Sequence, residues 1–118
     1  YAAAAINVFA SDDETEARRL MTSMEQQFIA LRRGTPGPLQ PPVDDPDSLG
    51  NAAERQMARH ALKESAMGTP GQVESWISAF LDRTAADEII VTGQIHDHDA
   101  RKRSFGIASG ALEQHLSQ

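Results

Sequence analysis

Residues 65–96 read SAMGTPGQVESWISAFLDRTAADEIIVTGQIH, and this stretch decides the fold. Thr69 suits a helix N-cap, Pro70 the first helical position, and Gln72 stands where a capping box places its returning side chain. Val73, Trp76, Ile77, Phe80 and Leu81 then recur at helical spacing and give that helix a wide apolar face. Asp87–Thr92 is rich in β-branched residues and predicts a strand, with Gly93-Gln94-Ile95-His96 as the loop that follows. Ser65–Gly68 predicts a short strand ahead of the helix. The unit is strand, helix, strand.

Working outward, residues 1–10, YAAAAINVFA, are apolar apart from Asn7. Ile6, Val8 and Phe9 favour a strand buried on both faces over an Ala-rich helix start. Ser11-Asp12-Asp13 supplies N-cap candidates, and Glu14 and Glu16 suit the first turn of a helix. Its apolar face is Ala17, Leu20, Met21, Met24, Phe28 and Leu31, and it should end near Arg32-Arg33-Gly34. Residues 34–50 hold five of the six prolines and predict a long extended loop. Residues 51–64 predict a short helix with Ala53, Met57 and Ala61 or Leu62 inward. On the far side, Asp97 or Asp99 can cap a last helix whose inward face is Ala100, Ser104, Ile107, Ala108, Ala111 and Leu112. Strands alternating with helices imply parallel βα units. Three parallel strands make a poor free-standing sheet, so the expected architecture is part of an α/β barrel.

The 118 residues exclude a complete (β/α)₈ barrel, which needs about 250. The net charge of −6 argues against a nucleic-acid surface, because the one basic cluster, Arg101-Lys102-Arg103, is surrounded by acids. With no cysteine there is no disulfide framework, thiol nucleophile or Cys-based metal site, which fits a cytoplasmic setting. No apolar run approaches the roughly 20 residues of a membrane helix.

Two stretches, INVFASDDETEARRLMTSMEQQFIALRRGTPGPLQPPVDD and SAMGTPGQVESWISAFLDRTAADEIIVTGQIHDHDARKRSF, in this order across the intervening helix, resemble the C-terminal portion of luciferase-like, flavin-dependent monooxygenases. The resemblance runs from about residue 6 to 115. It implies that the chain is a C-terminal piece of one (β/α)₈ barrel domain, about a third of it. That piece holds the last three βα units, with strands at 1–10, 65–68 and 87–92, a Pro-rich insertion at 34–50 and an extra helix at 51–64. It also implies a parent enzyme that binds FMN and uses O₂ on a small-molecule substrate, with the remainder of the barrel as this chain's partner. The flavin-phosphate turn and the catalytic histidine of that family lie in the earlier part of the barrel, so no catalytic residue is carried over and the chain alone is expected to be inactive. An alternative is a non-enzymatic, oligomerising α/β module derived from such a barrel, since its outer strands have unpaired edges.

Ligands of barrels meet the C-terminal ends of the strands. The candidates there are Ser11-Asp12, Gly68-Thr69 and Thr92-Gly93-Gln94 with His96. Gln94 offers a donor and an acceptor for a flavin edge or a polar substrate, and Gly93 permits close backbone approach; both also suit a plain βα turn. Gly68-Thr69 opens a helix, which favours phosphate, yet a capping box explains the same residues. The family often has an apolar or aromatic residue where this chain has His96. His96-Asp97-His98-Asp99 has metal-ligand chemistry but no third ligand at a fitting spacing, and its aspartates have capping work, so no metal site is expected. Arg32 and Arg33 are expected to satisfy helix carbonyls or to pair with Asp44 and Asp45, and Arg101 to anchor the last helix to a carboxylate.

Overall fold

The computed structural model describes residues 3–116, with side chains through residue 113. In chain order it contains β1 (Ala3–Ala10), α1 (Glu14–Arg32), α2 (Ala52–Ala61), β2 (Ser65–Gly68), α3 (Pro70–Thr84), β3 (Glu88–Thr92) and α4 (His98–Leu116). The element types follow the sequence reading throughout, and residues 1 and 2 lie outside the described range.

All three strands are parallel, in the order β2-β1-β3. Three successive barrel strands would put residues 65–68 in the middle, and here β1 takes that place. Its eight residues reach both neighbours: Asn7–Ala10 pair with Ser65–Gly68, and Ala3–Asn7 with Glu88–Thr92. The long apolar strand is the one that gains most from burial on both faces, and four-residue β2 offers little length for a second partner. Burial is complete only toward the C-terminal end, at Ile6, Val8, Phe9 and Ala10; Ala3 and Ala5 are exposed.

The order 2-1-3 sends the two crossovers in opposite directions across the sheet. Right-handed crossovers then place their helices on opposite faces, and the packing shows this. Ile6, Val8, Ala10 and Ala66 point to one side, against Val73, Ile77 and Phe80 of α3 and Ile107, Ala108 and Ala111 of α4. Phe9 points to the other, against Leu20 of α1, with Leu62, Ile95 and Met67 around it. Met21, Met24 and Phe28 pack there as a core stripe. Trp76 and Phe80 stack with ring centroids 5.1 Å apart.

Two inward faces differ from expectation. On α1, Ile29 is buried and Leu31 is 53% exposed, because α2 meets the helix on the Ile29 side. On α2, Ala58 is buried while Ala53 is exposed; of the alternatives Ala61 and Leu62 it is Leu62, at the C-cap, that turns inward. Residues 34–50 are not a free loop. Val43 N donates to Thr22 Oγ1 at 2.9 Å, Gln26 Nε2 donates to the Pro41 carbonyl at 2.9 Å, and Arg19 pairs with Asp44. A 3-10 turn at Pro46–Ser48 is capped by Asp45 and tied to α2 through Asp47–Arg59 at 2.8 Å. Beneath it, fully buried Glu25 is shared by Arg18 and Arg59, which supplies the partners that a buried carboxylate requires.

Candidate functional site

In an open α/β sheet, ligands bind beyond the C-terminal strand ends, at the crevice where neighbouring strands send their helices to opposite faces. Here that crevice lies between β1 and β3. Ser11 and Asp12 stand on one side of it and Gly93–His96 on the other. The Gly68-Thr69 turn lies across β1 from Gly93, tied to the same end by Ser11 N donating to the Gly68 carbonyl at 3.1 Å. The fold therefore gathers all the sequence-selected residues at one end of the sheet, in two groups flanking β1.

The floor of the crevice is closed by backbone chemistry. A Cβ on Gly93 would lie 2.6 Å from the Val8 carbonyl oxygen, so this position takes only glycine without moving the strand. Beyond Asn7, β1 has no further pairing with β3. Ser104 of α4 fills that gap: its Oγ accepts from Ala10 N at 3.0 Å and donates to the Val8 carbonyl at 3.2 Å. Both bonds are buried, and they satisfy groups that a longer β3 would have satisfied.

Above that floor, Arg103 spans the crevice and holds Asp12 in a two-pronged pair, with contacts of 2.6 and 3.2 Å. The guanidinium's hydrogen bonds hold the Asp12 carboxyl below its usual pKa. The expectation for Arg101 thus passes to Arg103. Arg103 is adjacent to Ser104 on the flank that meets β1, whereas Arg101 lies one turn from His98 and contacts its Nδ1 at 2.6 Å. Asp97 caps α4, accepting from Ala100 N at 2.8 Å. Arg33 pairs with Glu54 rather than with Asp44 or Asp45, which are taken by Arg19 and by the 3-10 turn. Among the described residues there is no group of three or more His, Cys, Asp or Glu able to hold a metal ion.

The two turns differ in what they leave open. Gly68 has φ +149°, and a Cβ there would overlap Gln72 Oε1. That same oxygen accepts from Thr69 N at 2.9 Å and from Thr69 Oγ1 at 3.3 Å, so the α3 N-terminus is occupied by its own capping box. At the other turn, Thr92, Gln94 and His96 all expose their side chains. A cleft of about 370 Å³ opens beside β2, between the first turn of α1 and the Pro-rich segment, lined by Arg18, Arg19, Asp44, Pro46 and Met67. Its walls come from residues 34–50 folding back on α1, a contact without a periodic signal in the sequence.

The chain is 40% identical over 116 residues to an Escherichia coli K12 protein named luciferase-like monooxygenase. It is a homologue of part of that protein. The match takes in 98% of this chain but 35% of the relative, consistent with the C-terminal piece that the sequence resemblance implies. An uncharacterized Bacillus subtilis protein, YvbT, is 37% identical over 107 residues, 91% of this chain and 32% of its own length. The chain thus spans about a third of the curated relatives it matches. The crystal structure of apo-MsnO8 is similar with a TM-score of 0.70 at 19% identity, over 94% of this chain and 34% of that one. No protein-family model matches the chain. Among the described residues no helix is long and apolar enough to cross a membrane.

Proposed function

We propose that this chain is the C-terminal third of a luciferase-like monooxygenase that, with the remainder of the parent, uses FMN and O₂ on a small organic substrate in the cytoplasm; its strand order 2-1-3, with helices on both faces, departs from the successive strands of a closed (β/α)₈ barrel. The observation that carries the reading is the 40% identity over 116 residues to a protein of that name.

The described residues do not by themselves fit a flavin phosphate. The α3 N-terminus, the best-placed anion site, is filled by Gln72, and Arg103, the cation at the crevice, is neutralised by Asp12. FMN in this reading is therefore held by the part of the parent outside these residues. What this chain contributes is a rim closed by Gly93 against the Val8 carbonyl and by Ser104 on β1. Thr92, Gln94 and His96 project from it toward solvent, offering a hydroxyl, an amide and an imidazole to a polar substrate. The 118-residue chain alone is inactive.

Titration with FMN and oxygen-uptake assays on the full-length parent and on the 118-residue chain test this. The expected result is flavin-dependent O₂ consumption by the parent only. Turnover by the isolated chain overturns the division of labour, and a parent without flavin-dependent O₂ consumption overturns the enzyme reading. In the parent, Gln94→Ala and His96→Ala should raise KM with little change in Tm, because neither side chain is buried.

In this reading the open outer edge of β3 is where the rest of the parent joins.

A further inference from the structure

Residues 34–50 are tied down differently at their base and at their middle. At the base, Arg33 and Glu54, which flank the segment, form a two-pronged pair with contacts of 2.5 and 2.6 Å. Gly34 and Gly50, at φ +74° and +49°, make the turns into and out of it. The two ends are thus held together while the middle lies across α1, the arrangement of an Ω-loop. Four pins hold the middle. Gln26 donates to the Pro41 carbonyl, Val43 N donates to Thr22 Oγ1, and Arg19 and Arg59 pair with Asp44 and Asp47.

The charged pins are unequal on their two sides. Arg59 is held from behind by fully buried Glu25, which Arg18 shares, and Arg19 is held by Glu16. Asp44 and Asp47, by contrast, are 94% and 74% exposed. Lifting the segment leaves Glu25 with both of its cations, so no buried charge is stranded. The carboxylates that leave are already hydrated. Five prolines bring no N–H that could be orphaned, and they stiffen the segment so that it moves as one piece. Val43 gives up its packing against the small Ile29, Leu49 and Ala58 cluster.

We propose that residues 35–48 are a lid, hinged at Gly34 and Gly50 and locked through Glu25, Arg59 and Asp47, that gates the cleft between itself and the first turn of α1. Asp44 and Pro46 of the lid form one wall of that cleft, and Arg18, Arg19 and Met67 the other. Every pin joins residues between 16 and 59, so the device belongs to this chain and should act alike in the parent. It is independent of the flavin reading.

Native-state hydrogen exchange on the 118-residue chain tests the proposal. It is read at the Val43 N–H, bonded to Thr22, and at the Ala10 N–H, bonded to buried Ser104. Val43 should exchange faster than Ala10, through an opening that leaves the sheet intact, and faster still at high salt, which screens the exposed pairs. Asp47→Asn should speed Val43 by a factor of about two to five, the worth of an exposed ion pair. Glu25→Gln loosens Arg59 from behind and should speed Val43 at least about tenfold, equivalent to about 1.4 kcal/mol, with Ala10 unchanged. If Glu25→Gln unfolds the chain, Asp47→Asn decides. Glu64→Gln, which removes an exposed pair with Arg83 on α3, should change neither amide. The sequence has no cysteine, so Met67→Cys places a single thiol on the cleft wall. Its labelling by a maleimide should rise in step with Val43 exchange when Asp47→Asn is added. Equal protection at Val43 and Ala10, a Val43 rate indifferent to salt or to the lock variants, or thiol labelling that ignores Asp47→Asn overturns the proposal.

Discussion

The turn at Gly68-Thr69 and the turn at Gly93-Gln94 stand on either side of the C-terminal end of β1, and both lead from a strand toward a helix. At the first, the side chain three residues into the helix returns to close the turn: Gln72 Oε1 takes the Thr69 N–H and fills the space beside Gly68. At the second, closure comes from below. Gly93 lies against the Val8 carbonyl, and Ser104, from a helix 94 residues along the chain from Ala10, completes the edge of β1. A turn closed by its own side chains turns those side chains back on its own backbone. A turn closed through its backbone leaves its side chains outward, and Thr92, Gln94 and His96 are outward. Of two similar glycine turns, only the second leaves its flanking side chains exposed.

Substitutions can break that contrast. Gly68→Ala should have the largest effect on stability. It combines a backbone strain of about 1–3 kcal/mol, for a φ that L-residues avoid, with loss of the cap, worth about 1 kcal/mol. Chemical denaturation would measure it, and a change under 1 kcal/mol would show that the turn relaxes freely. Gly93→Ala and Ser104→Ala follow, each at about 1–3 kcal/mol. The first drives a methyl into a backbone carbonyl that cannot swing aside; the second strands the buried Ala10 N–H. If the two turns were alike, Gln72→Ala, which removes a cap at a partly solvated helix end, would cost as much as Ser104→Ala; about 0.5–2 kcal/mol is expected instead.

The smallest effect belongs to the Asp12–Arg103 pair, which is solvent-exposed and screened. Arg103 lowers the Asp12 pKa below its unfolded value near 3.8. The pair's contribution is therefore present above pH 3.8 and disappears as pH falls through the lower, folded-state pKa. The Tm difference between the native chain and Asp12→Asn should accordingly shrink in that acid range and stay constant from pH 5 to 7 (on the order of the usual titration width). A difference that grows with acidification would mean that the carboxyl is neutralised, not ionised, in the folded chain.

The extent to which the site could be read from sequence follows the range of the interactions. The capping box at Thr69 and Gln72, the Asp13 cap of α1 and the Asp97 cap of α4 connect residues two or three apart, and each carries a local signal. The apolar stripes of α3 and α4 were legible because one helix face is a periodic pattern. The inward faces of α1 and α2 differ from the periodic reading at Leu31 and Ala53, where the covering element is the folded-back Pro-rich segment and the neighbouring helix rather than the sheet. Arg103 with Asp12 and Ser104 with Ala10 had no signal, because each joins positions more than 90 residues apart.

By itself the sequence determined the kinds of element, their order, and the placing of every candidate residue at the C-terminal ends of strands. Those follow from propensity, capping and periodicity, which act within a few residues. Only the tertiary structure decided that β1 is the middle strand, that α1 and α3 lie on opposite faces, and which of the two glycine turns keeps its side chains free. Strand order and crevice geometry depend on which apolar surfaces bury each other best, and a run such as AAAINVFA carries the same alternation whichever neighbour it finally takes.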